Sequence, residues 1–210
     1  MNELTLTNRA LRNAKLDTID SLDDLNDVAA YCRENMQDFI DEMLSEHDWG
    51  FARVRKSLIQ TTVKFSDWDY AFDLPDDMIK KQTFVITDQN HRQYELTEED
   101  YEVFNDDSSA DGNAARVAFN REDIDIVYTK RITVVSRLPY YFANALAYLY
   151  AYYLGTAFGG AERAGWAYQM YSQKELQRAI GQDHDLKRKS IKGERELTGE
   201  PLVYDPWGFR

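Results

Sequence analysis

The stretch LPYYFANALAYLYAYYLG, residues 138–155, decides the fold because it predicts a helix of roughly 20 residues with a wide apolar face. Proline suits the first turn of a helix, where the backbone N–H that it lacks would have no partner. The alanines of this stretch allow neighbouring helices to approach closely. Gly159 and Gly160 should end the helix. Tyr, Asn and small residues interrupt the apolar run, which favours a helix buried inside a folded protein over one that crosses a bilayer.

Other helical patterns lie on both sides of this stretch. A short helix should run from about Leu4 to near Asp17. A longer one follows, and Ser21 with Asp24 resembles the capping box at its start. Its apolar positions recur at steps of three and four: Leu25, Val28, Ala29, Cys32, Met36, Phe39, Ile40, Met43 and Leu44. Cys32 lies on this stripe and is interpreted as a small buried hydrophobe. A further amphipathic helix is predicted over about Ala161 to Ile180.

The middle of the chain, from Trp49 to about Ile132, has the period of two that is typical of strands. Predicted strands cover residues 51–63, 70–74, 82–87, 93–96 and 123–130. Within WDYAFDLPDDM, residues 68–78, aromatic and acidic side chains alternate, and Pro75 should end the strand because it supplies no ladder donor. The segment 98–115 contains acids, Ser, Gly and Asn but no base, and it predicts an exposed hairpin or a mobile loop.

These patterns together predict an α+β fold, an α-helical bundle of N- and C-terminal helices with an inserted antiparallel β-rich subdomain. The bundle should comprise residues 1–48 and 138–184, and the subdomain residues 49–137. Residues 185–210 carry a net charge of +1, from six bases and five acids, and show no sustained period. They are predicted to form an extended C-terminal tail.

Composition restricts the classes of function. The formal charge of -12 opposes nonspecific attachment to phosphate backbones or anionic lipid. One cysteine, Cys32, excludes an intrachain disulfide and a multi-thiolate metal site. This cysteine usage favours a reducing, cytoplasmic origin. The N-terminus lacks the pattern of a secretory signal.

Motifs for catalysis are missing from the sequence. His47, His91 and His184 stand in three distant contexts without a second ligand at metal-binding spacing. Adjacent acids such as Asp76 and Asp77 point apart on regular structure and do not make a catalytic dyad. There is no G-x-S-x-G motif and no Gly-rich phosphate loop. We therefore predict no catalytic residue, no cofactor site and no metal site.

The order of features nevertheless resembles one family. LDTIDSLDDLND, then SEHDWGFARVRKSL, then WDYAFDLPDDMIK, and finally LPYYFANALAYLYAYYLG follow one another as in the tail tubular protein A-like head-to-tail adaptors, or connectors, of short-tailed bacteriophages. The resemblance covers roughly residues 5 to 180. Its markers are His47-x-Trp49, the aromatic run before Leu74-Pro75-Asp76, and Pro139 with its Phe- and Ala-containing helix.

The resemblance implies a structural virion protein and not an enzyme. Such adaptors form a homo-oligomeric ring, usually of twelve copies, between the portal protein and the tail nozzle, a tail tubular protein B-like component. DNA passes through the lumen during ejection without sequence-specific binding. The helical part would line the ring and contact the portal, and the β-rich part would face tail components or tail fibres. Assembly would take place in the host cytoplasm, and the protein would end in the virion tail.

Two sets of site residues follow as hypotheses. The acids Asp38, Asp41 and Glu42 would help to line the DNA channel and repel the phosphate backbone; an ordinary solvated helix face is the alternative. Aromatic and aliphatic anchors in the tail would bind the portal, and these are Leu202, Tyr204, Trp207 and Phe209. The tail could instead pack on its own subunit. A monomeric tail-fibre-binding or assembly module and a nucleic-acid enzyme remain as rival functions.

Overall fold

The computed structural model describes residues 1–62, 67–87, 93–106 and 114–198, and it confirms the mixed α+β fold. Two compact units account for these residues. The helical unit contains residues 1–52 and the described residues from Arg131 onward, and the β unit contains Arg53–Lys130. The chain therefore enters the β unit after Ala52 and leaves it at Lys130, compared with the boundaries of 48 and 138 expected from the sequence.

The helical unit contains α1 (Glu3–Asn13), α2 (Asp27–Glu46), α3 (Tyr140–Leu154), α4 (Ala161–Met170) and α5 (Leu176–Thr198). The side chain of Asn26 caps α2 by accepting a 2.8 Å hydrogen bond from the Ala29 N–H. The expected capping box is therefore wrong. Asp24 instead accepts from the backbone N–H groups of Asp20 and Ser21, so these residues form a separate turn ahead of the helix.

The third helix, α3, is buried over most of its surface. It packs against α1, α2, α4 and α5. Its buried side chains are Phe142, Ala143, Ala145, Leu146, Ala147, Leu149, Tyr150, Ala151 and Leu154. Tyr150 satisfies its hydroxyl by donating to the carbonyl of Cys32, 3.1 Å away on α2. The predicted burial of Cys32 is confirmed.

A π-helical turn, Gly155–Gly159, joins α3 to Gly160, whose φ of +84° ends the helical path. Glycine adopts this left-handed region without the steric cost that a Cβ brings. The helix that begins at Ala161 then returns along α3 and buries Ala164 and Ala167. A second π-helical turn, Tyr171–Glu175, leads into α5.

The predicted extended tail is wrong for residues 185–198, which continue α5 to Thr198. The charged residues of α5 hid a helical stripe in which Ala179 and Asp183 are buried and Lys187 lies one turn further on. Asp183 and Lys187 form an ion pair at the i,i+4 spacing that supports helices. Residues 199–210 lie outside the described residues.

The β unit consists of two four-stranded antiparallel sheets. The first has the order β1-β8-β4-β5 and the second the order β2-β3-β7-β6. The strands are β1 (Arg53–Ser57), β2 (Ile59–Gln60), β3 (Tyr70–Asp73), β4 (Met78–Thr87), β5 (Gln93–Glu95), β6 (Tyr101–Asp106), β7 (Ala114–Phe119) and β8 (Ile124–Lys130). The acidic segment 98–115 therefore contributes to a hairpin of β6 and β7, one of its two expected forms.

Aromatic and branched side chains form the core of the β unit: Phe72, Phe84, Val117, Phe119, Ile124, Ile126 and Tyr128. The strand expected in WDYAFDLPDDM is confirmed in β3, with Phe72 buried and Tyr70 and Leu74 packed against the core. Beyond it, Asp77 accepts a 2.9 Å hydrogen bond from the Tyr128 hydroxyl and pairs with Lys130. Burial and this carboxylate raise the pKa of Tyr128 to about 12.

Replacing Gly155 with Ala should destabilise the helical unit, because the new Cβ would lie 2.9 Å from the backbone N and Cα of Ala164. Forcing α3 and α4 apart should lower the free energy of unfolding by about 1–3 kcal/mol. Gly165→Ala is the matched control, since nothing lies within 4 Å of its Cβ position. It should leave stability unchanged or raise it by up to about 1 kcal/mol. Urea unfolding distinguishes the two, and equal effects would contradict the close packing.

Candidate functional site

The second helix, α2, carries six acids and one base, Arg33, in the sequence DVAAYCRENMQDFIDEMLSE. The three acids expected to line a channel, Asp38, Asp41 and Glu42, all belong to this helix. Its apolar stripe faces the core through side chains such as Met36, Phe39, Ile40 and Met43. The acids therefore lie at the border of the buried stripe or beyond it.

Two of the three acids have partners within the helical unit. Asp41 forms a 2.7 Å ion pair with Arg131 and accepts a 2.7 Å hydrogen bond from Gln37. Both carboxylate oxygens of Glu42 lie within 2.9 Å of the Tyr153 hydroxyl. Burial and this carboxylate raise the pKa of Tyr153. Asp41 is thus paired with a base, whereas Glu42 accepts the hydrogen bond of a tyrosine hydroxyl.

Asp38 differs from its two neighbours because it is exposed. Among the described residues it has neither a hydrogen bond nor an ion pair. Its charge therefore acts on the solvent and on whatever approaches this face of α2. Of the three acids, only Asp38 presents such an exposed carboxylate.

The four expected portal-binding residues all lie outside the described residues. They are Leu202, Tyr204, Trp207 and Phe209. The structure does describe α5, the helix that leads to them. This helix ends at Thr198, and the last twelve residues of the 210-residue chain follow it.

A buried carboxylate attaches α5 to the rest of the unit. Asp183 is 1% exposed and accepts hydrogen bonds from the Gly50 N–H at 3.0 and 3.1 Å and from the Tyr141 hydroxyl at 2.9 Å. Its other close neighbour is the Lys187 ammonium, 2.9 Å away. All three are donors, so the chain itself uses the carboxylate lone pairs. We name Asp183, Gly50, Tyr141 and Lys187 the carboxylate anchor.

The segment 47–51 is held in place by aromatic packing, which brings Gly50 to the anchor. Trp49 is fully buried and donates its indole N–H to the Met43 carbonyl at 2.9 Å. Its ring lies edge-on to Phe142 of α3, with centroids 5.0 Å apart. The helix α2, the turn after it and α3 therefore position the N–H group that Asp183 binds.

Charges around the anchor act in opposite directions. Burial raises the pKa of Asp183, but hydrogen bonds from Lys187, Gly50 and Tyr141 outweigh burial and hold this pKa below its usual range. His47 Nε2 lies 3.6 Å from Asp183. Burial and the nearby Lys187 ammonium lower the pKa of His47. The anchor is therefore a carboxylate paired with one ammonium group beside a neutral imidazole near pH 7.

The expectation of three separate histidine contexts is wrong for two of them, because the rings of His47 and His184 lie 5.2 Å apart. His91 lies outside the described residues. Among the residues that the structure describes, no group of three or more His, Cys, Asp or Glu side chains could hold a metal ion. No described helix is both long and apolar enough to cross a membrane.

A second polar chain connects α1, α3 and the turn before α5. Arg9 donates to the Asn144 carbonyl oxygen, and the Asn144 amide donates to the buried carboxylate of Glu175 at 2.6 Å. The guanidinium of Arg9 also lies over the Tyr140 ring, 5.4 Å from its centroid. These contacts satisfy buried polar groups between helices and contain no nucleophile paired with a base.

Comparison with protein-family models and with curated proteins finds no match for this chain.

Changing Asp183 to Asn should destabilise the helical unit by about 3 kcal/mol near pH 7, because Lys187 loses its buried charge partner. The pKa of Asp183 is lowered in the folded state, so its stabilisation exists above the unfolded pKa of about 3.9 and is lost as the pH falls through the folded value. Urea unfolding from pH 7 to 3 should therefore show the wild-type and variant stabilities converging in acid.

The control for this prediction is Tyr141→Phe, which removes one neutral donor and keeps the ion pair. It should cost about 1 kcal/mol and leave the pH dependence in place. A constant difference between Asp183→Asn and wild type across the whole pH range would contradict the assignment of the charge.

Proposed function

We propose that this protein is a head-to-tail adaptor of a short-tailed bacteriophage, a structural virion protein that forms a ring between the portal and the tail nozzle. DNA would pass through the lumen of the ring. The protein would assemble in the host cytoplasm and reside at the head-tail interface of the virion. The proposal assigns it no catalytic activity.

The observation that carries the proposal is the separation of the chain into a helical unit built from both ends and an antiparallel β unit inserted after Ala52. This is the organisation that the resemblance to the adaptor family implies for a ring-forming part and a part that faces tail components. The family markers His47 and Trp49 stand at the end of α2, and Pro139 is the N-cap of α3.

The charge of α2 also supports a role beside DNA. A channel that lets a duplex slide needs walls that do not bind phosphates, and carboxylates satisfy this need because they repel the backbone. Asp38 is the exposed representative of these acids. Asp41 and Glu42 would contribute less. Asp41 already forms an ion pair with Arg131, and Glu42 accepts a hydrogen bond from the Tyr153 hydroxyl.

The C-terminal residues would provide the portal contact. Leu202, Tyr204, Trp207 and Phe209 would be the anchors, and such side chains contribute about 2 kcal/mol each when fully buried at an interface. Since α5 extends to Thr198 and holds the carboxylate anchor, a deletion that tests these residues should begin at residue 199.

Deleting residues 199–210 should weaken binding to portal rings at least about tenfold while the helical unit keeps its unfolding midpoint. Negative-stain imaging and sedimentation of the protein mixed with its portal measure the two effects. A ring seated on the portal supports the adaptor. A protein that stays monomeric with the portal overturns the adaptor and favours the tail-fibre-binding or assembly module.

The matched control is Trp207→Ala together with Phe209→Ala in the full-length chain, which keeps the backbone and removes two anchors. It should reproduce most of the loss. Undiminished portal binding by both the deletion and the double variant would remove the assigned role of these residues.

A further inference from the structure

The two sheets of the β unit have edges of opposite charge. Strands β1 and β2, separated by Leu58, form one edge of each sheet, and we name them the basic edge. Its sequence, RVRKSLIQ, contains Arg53, Arg55 and Lys56 and no acid. Strands β5 and β6 form the other edge of each sheet, which we name the acidic edge. Residues 93–104 contain five acids and no Lys or Arg.

Both edges expose side chains to solvent among the residues that the structure describes. In β1 the side chains of Arg53, Arg55, Lys56 and Ser57 are exposed, and so are all three residues of β5. Each edge also exposes apolar surface, since Ile59 of β2 is 66% exposed and Val103 of β6 is 50% exposed. A strand at the edge of a sheet can pair with a strand of another chain unless something covers it.

Strand direction makes the two edges complementary. Each sheet has four strands, and every neighbouring pair is antiparallel. Because the four strands of a sheet alternate in direction, its two edge strands run in opposite directions. This holds for β1 and β5 in the first sheet and for β2 and β6 in the second. A second copy in the same orientation would therefore continue the antiparallel alternation in both sheets by placing its basic edge against the acidic edge.

Charge selects between the possible pairings. Two basic edges would place Arg53 and Lys56 against the same residues of another copy, and two acidic edges would oppose Glu95 and Glu98 in the same way. Like charges directly opposite each other across strands are unfavourable. Only the pairing of unlike edges brings opposite charges together, and this is a heterologous contact of the type that closes rings.

We propose that the basic edge, β1 with β2, of one copy binds the acidic edge, β5 with β6, of the next copy, as a head-to-tail contact between β units. Arg53 and Lys56 carry the attraction, because Arg55 already pairs with Asp125 at 2.6 Å in its own sheet. Glu95, Glu98 and Glu99 oppose them. The inference rests on the proposed ring only for closure, since the contact itself needs nothing but two copies.

Two charge-reversed variants of the full chain test this contact. Arg53→Glu with Lys56→Glu gives a protein with two acidic edges, and Glu95→Lys with Glu98→Lys gives one with two basic edges. Each variant alone should lose self-association at least about tenfold, whether measured for the chain by itself or on portal rings. An equimolar mixture should regain it, because each edge then meets one of opposite charge.

The control is Arg12→Glu with Lys174→Glu, which changes the net charge as Arg53→Glu with Lys56→Glu does, but at exposed positions of the helical unit. It should leave association near the wild-type level. Raising the salt from about 0.05 to about 0.5 M should weaken association of the wild type and of the mixture alike. Far-UV circular dichroism and unfolding midpoints confirm that each variant is folded.

The outcomes separate this inference from the proposed function. Rings that form on the portal with both reversed variants as with wild type would overturn the edge contact and leave the adaptor standing. A mixture that associates without ever closing around a channel would support the edge contact and count against the adaptor. A mixture that associates no better than either variant overturns the edge contact.

Discussion

The burial of α3 on nearly every side is the constraint on which the helical unit depends. A helix with buried residues around its circumference cannot rest on a single neighbour, because its remaining apolar surface would stay in water. Helices α1, α2, α4 and α5 cover it between them. The covering helices come from both ends of the chain. Residues 53–130 must therefore leave the bundle and return to it, which makes the β unit an insertion.

Sequence periodicity was sufficient wherever burial produced a regular apolar pattern. The helices α2 and α3 and the strand around Phe72 could be predicted because their buried residues recur at the steps of a helix or strand. The helix α5 could not be predicted beyond about Ile180, because its buried stripe continues through Asp183. Sequence reasoning assigns a carboxylate to the exposed face of a helix, because the donors that would satisfy it in the interior are not visible from the sequence. The i,i+4 spacing of Asp183 and Lys187 was the one local signal.

The acids of α2 show the same limit for function. Asp38, Asp41 and Glu42 are equivalent in sequence, yet Asp41 pairs with Arg131 and Glu42 receives the hydroxyl of Tyr153. These partners lie far away along the chain, so periodicity gives no information about them. Net charge therefore overstates the number of acids that can act on a passing polyanion. The tertiary structure selects those that remain exposed, as Asp38 does.

A chain with a net charge of -12 faces a general obstacle to assembly, because copies of one sign repel each other. Association then requires surfaces where charge is segregated so that attraction at the contact exceeds repulsion between the bodies. Buried Asp183 and partly buried Asp41 form ion pairs with Lys187 and Arg131 within the subunit. Bases that stay exposed and clustered are correspondingly valuable. The β1 strand places two such bases, Arg53 and Lys56, on a sheet edge, and the opposite edge carries the acids.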